Sequence, residues 1–137
     1  MELSNIKLLS LTDIGGKVSP HQLQVKGSLR QRAAALELVK DVAQLADYLG
    51  GMVIKMDIGE DWAVSKEVYP GVNIYFVFNK GDDEFPAVLR ALYAGERIKT
   101  INGDELATIT ISCANQMLRY VRESNPEIKL PAVCYKV

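Results

Sequence analysis

Residues 52–78 read MVIKMDIGEDWAVSKEVYPGVNIYFVF, and the way this run folds back on itself decides the architecture of the chain. Val72, Ile74, Phe76 and Phe78 place a large apolar residue at every second position, the period of a strand with one buried face. Met52, Ile54, Met56 and Ile58 alternate in the same way, and Trp62, Val64 and Val68 keep one face with Lys66 interrupting it. Gly59-Glu60-Asp61 and Pro70-Gly71 part the three runs with turn-forming residues. The pattern predicts a three-stranded antiparallel meander with one face packed on a helix. On that arrangement Phe76→Ala should cost more than Tyr75→Ala, unless a second layer covers the other face.

Working upstream, residues 28–49, SLRQRAAALELVKDVAQLADYL, predict one long helix. Leu29, Ala33, Leu36, Val39, Ala43, Ala46 and Leu49 fall on a single stripe. Ser28 with Gln31 forms a capping-box pattern, and Gly50 suits a left-handed stop. Residues 5–11 predict a strand, 12–17 a turn, and 21–26 a weakly alternating second arm of a hairpin.

Downstream, residues 83–94 predict a helix with Asp83 as N-cap, Pro86 in its first turn and Gly95 as its stop. Residues 96–112 leave two readings open. One is a hairpin about Asn102-Gly103; the other, slightly favoured, is a helix capped by Asn102 and Glu105. Leu106, Ile109, Cys113, Met117 and Tyr120 would form that helix's buried stripe. The tail, residues 128–137, predicts an edge strand, since Pro131 cannot donate a ladder hydrogen bond. The fold class is therefore α+β, in one domain over residues 1–137: a long helix from the N-terminal half on an antiparallel β-meander, with one or two further helices. The helix–meander–helix order resembles small secretion-chaperone-like α+β domains, a likeness of architecture that implies no function.

Sixteen basic residues against seventeen acidic ones give a net charge of −1, which disfavours a general electrostatic footprint for nucleic acid. The N-terminal residues lack a positive region before their apolar run, and no stretch has the length of a membrane-spanning helix. Cys113 and Cys134 lack metal-ligand spacing, and His21 is the only histidine, so no Cys/His zinc site is expected. These features predict a cytoplasmic protein with reduced thiols and no cofactor. Cys113 reads as a small buried hydrophobe, Cys134 as an exposable thiol, and His21 as a structural or solvent-facing residue.

Two groups of residues stand out. In the predicted meander, the end of the first strand, the start of the second and the end of the third share one edge. Asp57, Glu60, Asp61, Asp82, Asp83 and Glu84 would gather there, with Trp62 and Asn79 beside them. Oxygen-rich clusters suit Mg²⁺ or Ca²⁺, and a raised carboxyl pKa in such a pair supplies a general acid or base. Solvated turns and a capped helix start explain the same acids without a site, and that reading comes first, an acidic docking rim next and a catalytic metal site last. The second group is Lys26, Ser28, Arg30 and Arg32 at the predicted helix start. Free backbone N–H groups and guanidinium groups could hold a phosphate there, although no phosphate-loop motif is present.

With no nucleophile–base pair, metal motif or phosphate loop, the sequence favours a small binding or adaptor module acting through protein–protein interaction. Its partner would be another protein or a second copy of the chain. The alternatives are a small enzyme using a divalent cation or acid/base carboxylates at the acidic edge and, more weakly, an anion sensor.

Overall fold

The computed structural model describes residues 8–10 and 20–137. Helix α1 runs over Pro20–Ala33 and continues as a 3₁₀ turn over Ala34–Leu38; α2 spans Val42–Leu49. Four strands follow: β1 Met52–Val53, β2 Trp62–Tyr69, β3 Val72–Asn79 and β4 Val88–Ala94. After a 3₁₀ turn at Ile98–Thr100, α3 covers Gly103–Ser124, and a last 3₁₀ turn lies at Ala132–Tyr135. The protein is thus α+β, with an antiparallel sheet in the order β1-β2-β3-β4.

The meander expected over 52–78 forms, with a first strand only two residues long and a fourth strand added. β2 and β3 pair from Trp62↔Phe78 to Tyr69↔Val72 across the Pro70-Gly71 turn, with a bulge at Glu67/Tyr69. Val64, Ile74, Phe76, Phe78, Leu89 and Tyr93 share a core with Leu29 and Leu36 from the α1 segment, Leu45 and Leu49 from α2, and Leu106 and Met117 from α3. Lys66, which interrupts the apolar face of β2, donates from Nζ to the carbonyl oxygen of Leu49. It satisfies a C-terminal carbonyl of α2 and places positive charge at the negative end of that helix.

The opposite face of the sheet is also covered in part. Ile54, Met56, Ala63, Tyr75, Val77 and Ala94 form a second buried cluster, with Leu8 and Leu92 packed against it. Tyr75 and Phe76 point to opposite faces yet are only 3% and 0% exposed. The condition under which the two alanine variants should cost alike is therefore met, since both remove a large buried ring.

Four local expectations are corrected. The helix predicted over 28–49 is broken: Val39 is extended (φ −72°, ψ 117°), and Asp41 (φ −129°, ψ 99°) caps α2 by accepting from the Gln44 N–H at 3.1 Å. Residues 21–26, read as a hairpin arm, lie within α1, so Ser28 is a helix-interior residue and not a cap. The helix predicted over 83–94 is strand β4. Asp82, rather than Asp83, caps the local turn, accepting from the N–H groups of Glu84 and Phe85 at 2.8 Å each. Seven consecutive pairs with β3, from Asn79↔Val88 to Asn73↔Ala94, complete a ladder that β3 would otherwise leave open. The tail is a 3₁₀ turn, with Arg122 donating to the carbonyl oxygens of Cys134 and Val137; Cys134 is fully buried.

Between the two readings of residues 96–112 the helix is the one that forms. Asn102 Oδ1 accepts from the Glu105 N–H at 2.8 Å, and Leu106, Cys113, Met117 and Tyr120 are buried. Gly95 enables the approach from β4: its φ is +129°, and a Cβ there would lie 2.1 Å from the Gly71 oxygen. Of the strand predicted over 5–11, residues 8–10 are described, and Leu9 forms an antiparallel bridge with Tyr93 at the outer edge of β4. The turn predicted over 12–17 lies outside the described residues. His21 lies in the first turn of α1. Among the described residues no helix is long and apolar enough to cross a membrane.

Candidate functional site

The first acidic turn, residues 57–61, is bonded to the end of β3, next to the second, residues 82–84. The Asp61 N–H donates to the Phe78 oxygen at 2.9 Å, Asp61 Oδ2 accepts from the Lys80 N–H at 2.7 Å, and Asn79 Nδ2 donates to the Gly59 oxygen at 2.9 Å. Three of the six carboxylates, those of Glu60, Asp61 and Asp82, are nevertheless directed to the backbone. Glu60 accepts from the N–H groups of Met56 and Ile58 at 2.6 and 3.0 Å, closing a tight loop in which Asp57 takes a positive φ of 58°. Asp82 accepts from its own turn, and Asp57 forms an exposed ion pair with Lys55 at 3.6 Å. Among the described residues no three His, Cys, Asp or Glu side chains gather to hold a metal ion.

The electrostatics follow from these bonds. Burial pulls the Glu60 carboxyl upward, but the amides of Ile58 and Met56 outweigh it and hold the pKa below the usual value. The amides of Phe85 and Glu84 likewise lower that of Asp82. A general acid near neutral pH needs the opposite shift. Trp62 stacks on Phe78 with ring centroids 4.9 Å apart, so it supports the rim from within the sheet.

The basic group is divided by the fold. Since α1 begins at Pro20, the amides of Gly27 and Ser28 belong to the helix ladder and are not free helix-end donors. Arg30 and Arg32 occupy the last turn of α1, where positive charge suits the helix dipole. Arg32 is held against α3, donating from Nε to Asn115 Oδ1 at 2.9 Å and from a terminal nitrogen to the Ser28 oxygen at 2.8 Å. Burial lowers its pKa.

Lys26 and Arg30, one helical turn apart, line a groove of about 410 Å³ against Pro86–Arg90. It runs into a hollow of about 230 Å³ between Val25 and Leu29 of α1 and Leu89–Tyr93 of β4, sharing Lys26, Leu89 and Arg90. Leu89 and the α1 leucine are buried and form an apolar floor, while Lys26, Arg30 and Arg90 are exposed. Among the described residues no carboxylate lies within ion-pair distance of these three cations. Phe85, 67% exposed, and Val88, 42% exposed, stand beside the groove.

β4 supplies backbone groups as well. Tyr93 exchanges both backbone hydrogen bonds with Leu9, at 2.7 and 2.8 Å, so its N–H and C=O face away from β3. The two-residue alternation of an antiparallel ladder turns those of Ala91 and Leu89 to the same outer edge. The sequence does not single out Arg90, Phe85 and Val88, because Asp83, Pro86 and Gly95 mimic the cap, first turn and stop of a helix. Leu89, Ala91 and Tyr93, alternating with Arg90 and Leu92, carried the strand signal.

Two other hollows are more open. Tyr48 and Tyr120 meet edge to face at 5.6 Å above Gln44 and Glu123, and the Tyr69 hydroxyl donates to Glu105 at 3.2 Å beside Arg97. Inside the core, the Tyr93 hydroxyl and Thr110 Oγ1 lie 2.8 Å apart, and burial pushes the Tyr93 pKa up to about 12. Burial raises the Cys113 and Cys134 thiols, which makes them poor nucleophiles.

No protein-family model, curated protein or solved structure matches the chain.

Proposed function

We propose that the protein is a binding module whose working surface is the groove between α1 and β4, and that its partner is an extended acidic protein segment carrying an apolar anchor. The observation that carries this reading is the unpaired set Lys26, Arg30 and Arg90 over an apolar floor. Cations without a carboxylate partner favour an anionic occupant, and the leucine floor favours one with apolar side chains. The outward amides and carbonyls of Leu89 and Ala91 add the means to hold an extended backbone by strand addition. The acidic rim supports the enzyme alternative less well, since backbone amides engage Glu60, Asp61 and Asp82.

A short fluorescein-labelled peptide alternating Asp with Leu tests the reading by fluorescence anisotropy. Binding is expected for this peptide and not for its Asn-for-Asp counterpart, and the Arg30→Glu plus Arg90→Glu variant should lose it. No rise in anisotropy up to about 1 mM protein, a weak-binding limit, would overturn the reading. Binding that ignores the charge reversal would overturn it equally.

A further inference from the structure

The groove's own molecule carries the required acidic and apolar side chains, on a turn rather than on an extended strand. Asp82, Asp83, Glu84 and Phe85 directly precede the groove wall at Pro86. Their turn is fixed: Asp82 Oδ1 accepts from the Glu84 and Phe85 N–H groups, and the Asp82 N–H donates to the Phe85 oxygen at 2.8 Å. Asp83 and Glu84 are exposed, and among the described residues neither carboxylate has a hydrogen-bond or ion-pair partner. Phe85 is the most exposed of the large hydrophobic residues among those described. One molecule therefore displays unpaired acids with an aromatic tip, and immediately beside them unpaired cations over an apolar floor. The fixed turn does not bring the two sets together within the molecule.

Resting on the groove reading above, we propose that the acidic turn Asp82–Phe85 of a second copy of this chain occupies the groove, pairing two molecules about a two-fold axis. A two-fold interface uses the same patch on both partners, so it requires knob and receptor to be neighbours on one surface. Here the turn runs directly into the β4 wall of the groove. Asp83 and Glu84 meet Arg30, Arg90 and Lys26 of the other molecule, while Phe85 covers the leucine floor. Aromatic and arginine side chains are the types enriched at the centres of such interfaces.

The test is a reciprocal charge exchange on the full chain, read by sedimentation equilibrium at low salt, with circular dichroism verifying that each variant is folded. Wild type is expected to dimerise. Arg30→Glu plus Arg90→Glu should weaken dimerisation about tenfold or more, as should Asp83→Lys plus Glu84→Lys, since each creates like-charge contacts. Mixing the two variants should restore a dimer, because the acidic turn of the first then faces the basic groove of the second, and the lysine turn of the second faces the glutamate groove of the first. Phe85→Ala should weaken wild-type association without changing the fold. A wild type that is monomeric at about 100 µM, far above a micromolar Kd, would overturn the proposal. So would a dimer indifferent to both reversals, or a mixture that stays monomeric. If the wild type is monomeric while the Asp–Leu peptide still binds in an Arg30- and Arg90-dependent way, the second-copy proposal fails and the groove reading stands. If neither occurs, both fail.

Discussion

Three acids of the rim, Glu60, Asp61 and Asp82, and the three cations of the groove are all surface charges, but the fold uses them in opposite ways. At the rim, Glu60, Asp61 and Asp82 all accept hydrogen bonds from backbone N–H groups, so the acids hold loops in place. In the groove, Lys26, Arg30 and Arg90 hold nothing within the described residues. Charge that organises the fold is used up by its own backbone, whereas charge left without a partner is available to another molecule. The aromatic residues divide in the same way. Phe78 is fully buried and stacked on Trp62, while Phe85 is largely in solvent.

The largest expected effect contrasts those two phenylalanines. Phe78→Ala should destabilise the protein by about 3–5 kcal/mol in urea unfolding, as a large core cavity does. Phe85→Ala should stay within about 0.5 kcal/mol of wild type, as surface changes do, and should alter only association. Similar losses of stability for both would break the comparison, because Phe85 would then be core rather than a contact residue.

A smaller effect separates the charges themselves. Glu60→Ala leaves the amides of Met56 and Ile58 without their acceptor and should cost about 1 kcal/mol, a figure kept low because the group is largely solvated. Arg30→Ala with Arg90→Ala removes no hydrogen bond found in the structure and should leave the urea midpoint in place. A marked destabilisation by the arginine pair would show that these cations support the fold after all.

How much of this was legible depends on how local the deciding interaction is. Helix α3 could be read because its cap, Asn102 to Glu105, and its stripe from Leu106 to Tyr120 are contained in the segment itself. The break between α1 and α2 had a local signal too, Asp41 three residues before Gln44, but the continuous apolar stripe masked it. β4 was not legible. Val88 and Leu92 fit a helical turn as well as Leu89, Ala91 and Tyr93 fit a strand, and the open edge of β3, remote in the sequence, decides between them. The groove inherited that failure, since half of it is β4. At the rim, the approach of the 57–61 turn to the end of β3 followed from strand order, but the use of the acids did not. A sequence records that Asp61 is acidic and not that the Lys80 amide will occupy it.

The smallest effect, and the sharpest separation of the two regions, lies in pH. Glu60 and Asp82 have folded-state pKa values below their ordinary 4.5 and 3.8. A carboxyl with a lowered folded pKa stabilises the native state above its unfolded value and loses that contribution as pH falls through the folded one. The contribution of Glu60 should therefore be complete at neutral pH and disappear below about pH 4.5. The part from Asp82 should disappear below about pH 3.8. Replacing both with Ala should lower the melting temperature at pH 7 and bring it closer to that of wild type as the solution is acidified. Arg30→Gln with Arg90→Gln keeps every rim hydrogen bond, so its melting temperature should track that of wild type through the same range. A parallel displacement of the Glu60 and Asp82 curve at all pH values would mean that the rim acids act through packing rather than through their charge. The distinction between charge engaged by the backbone and charge left open to a partner would then fail at the rim.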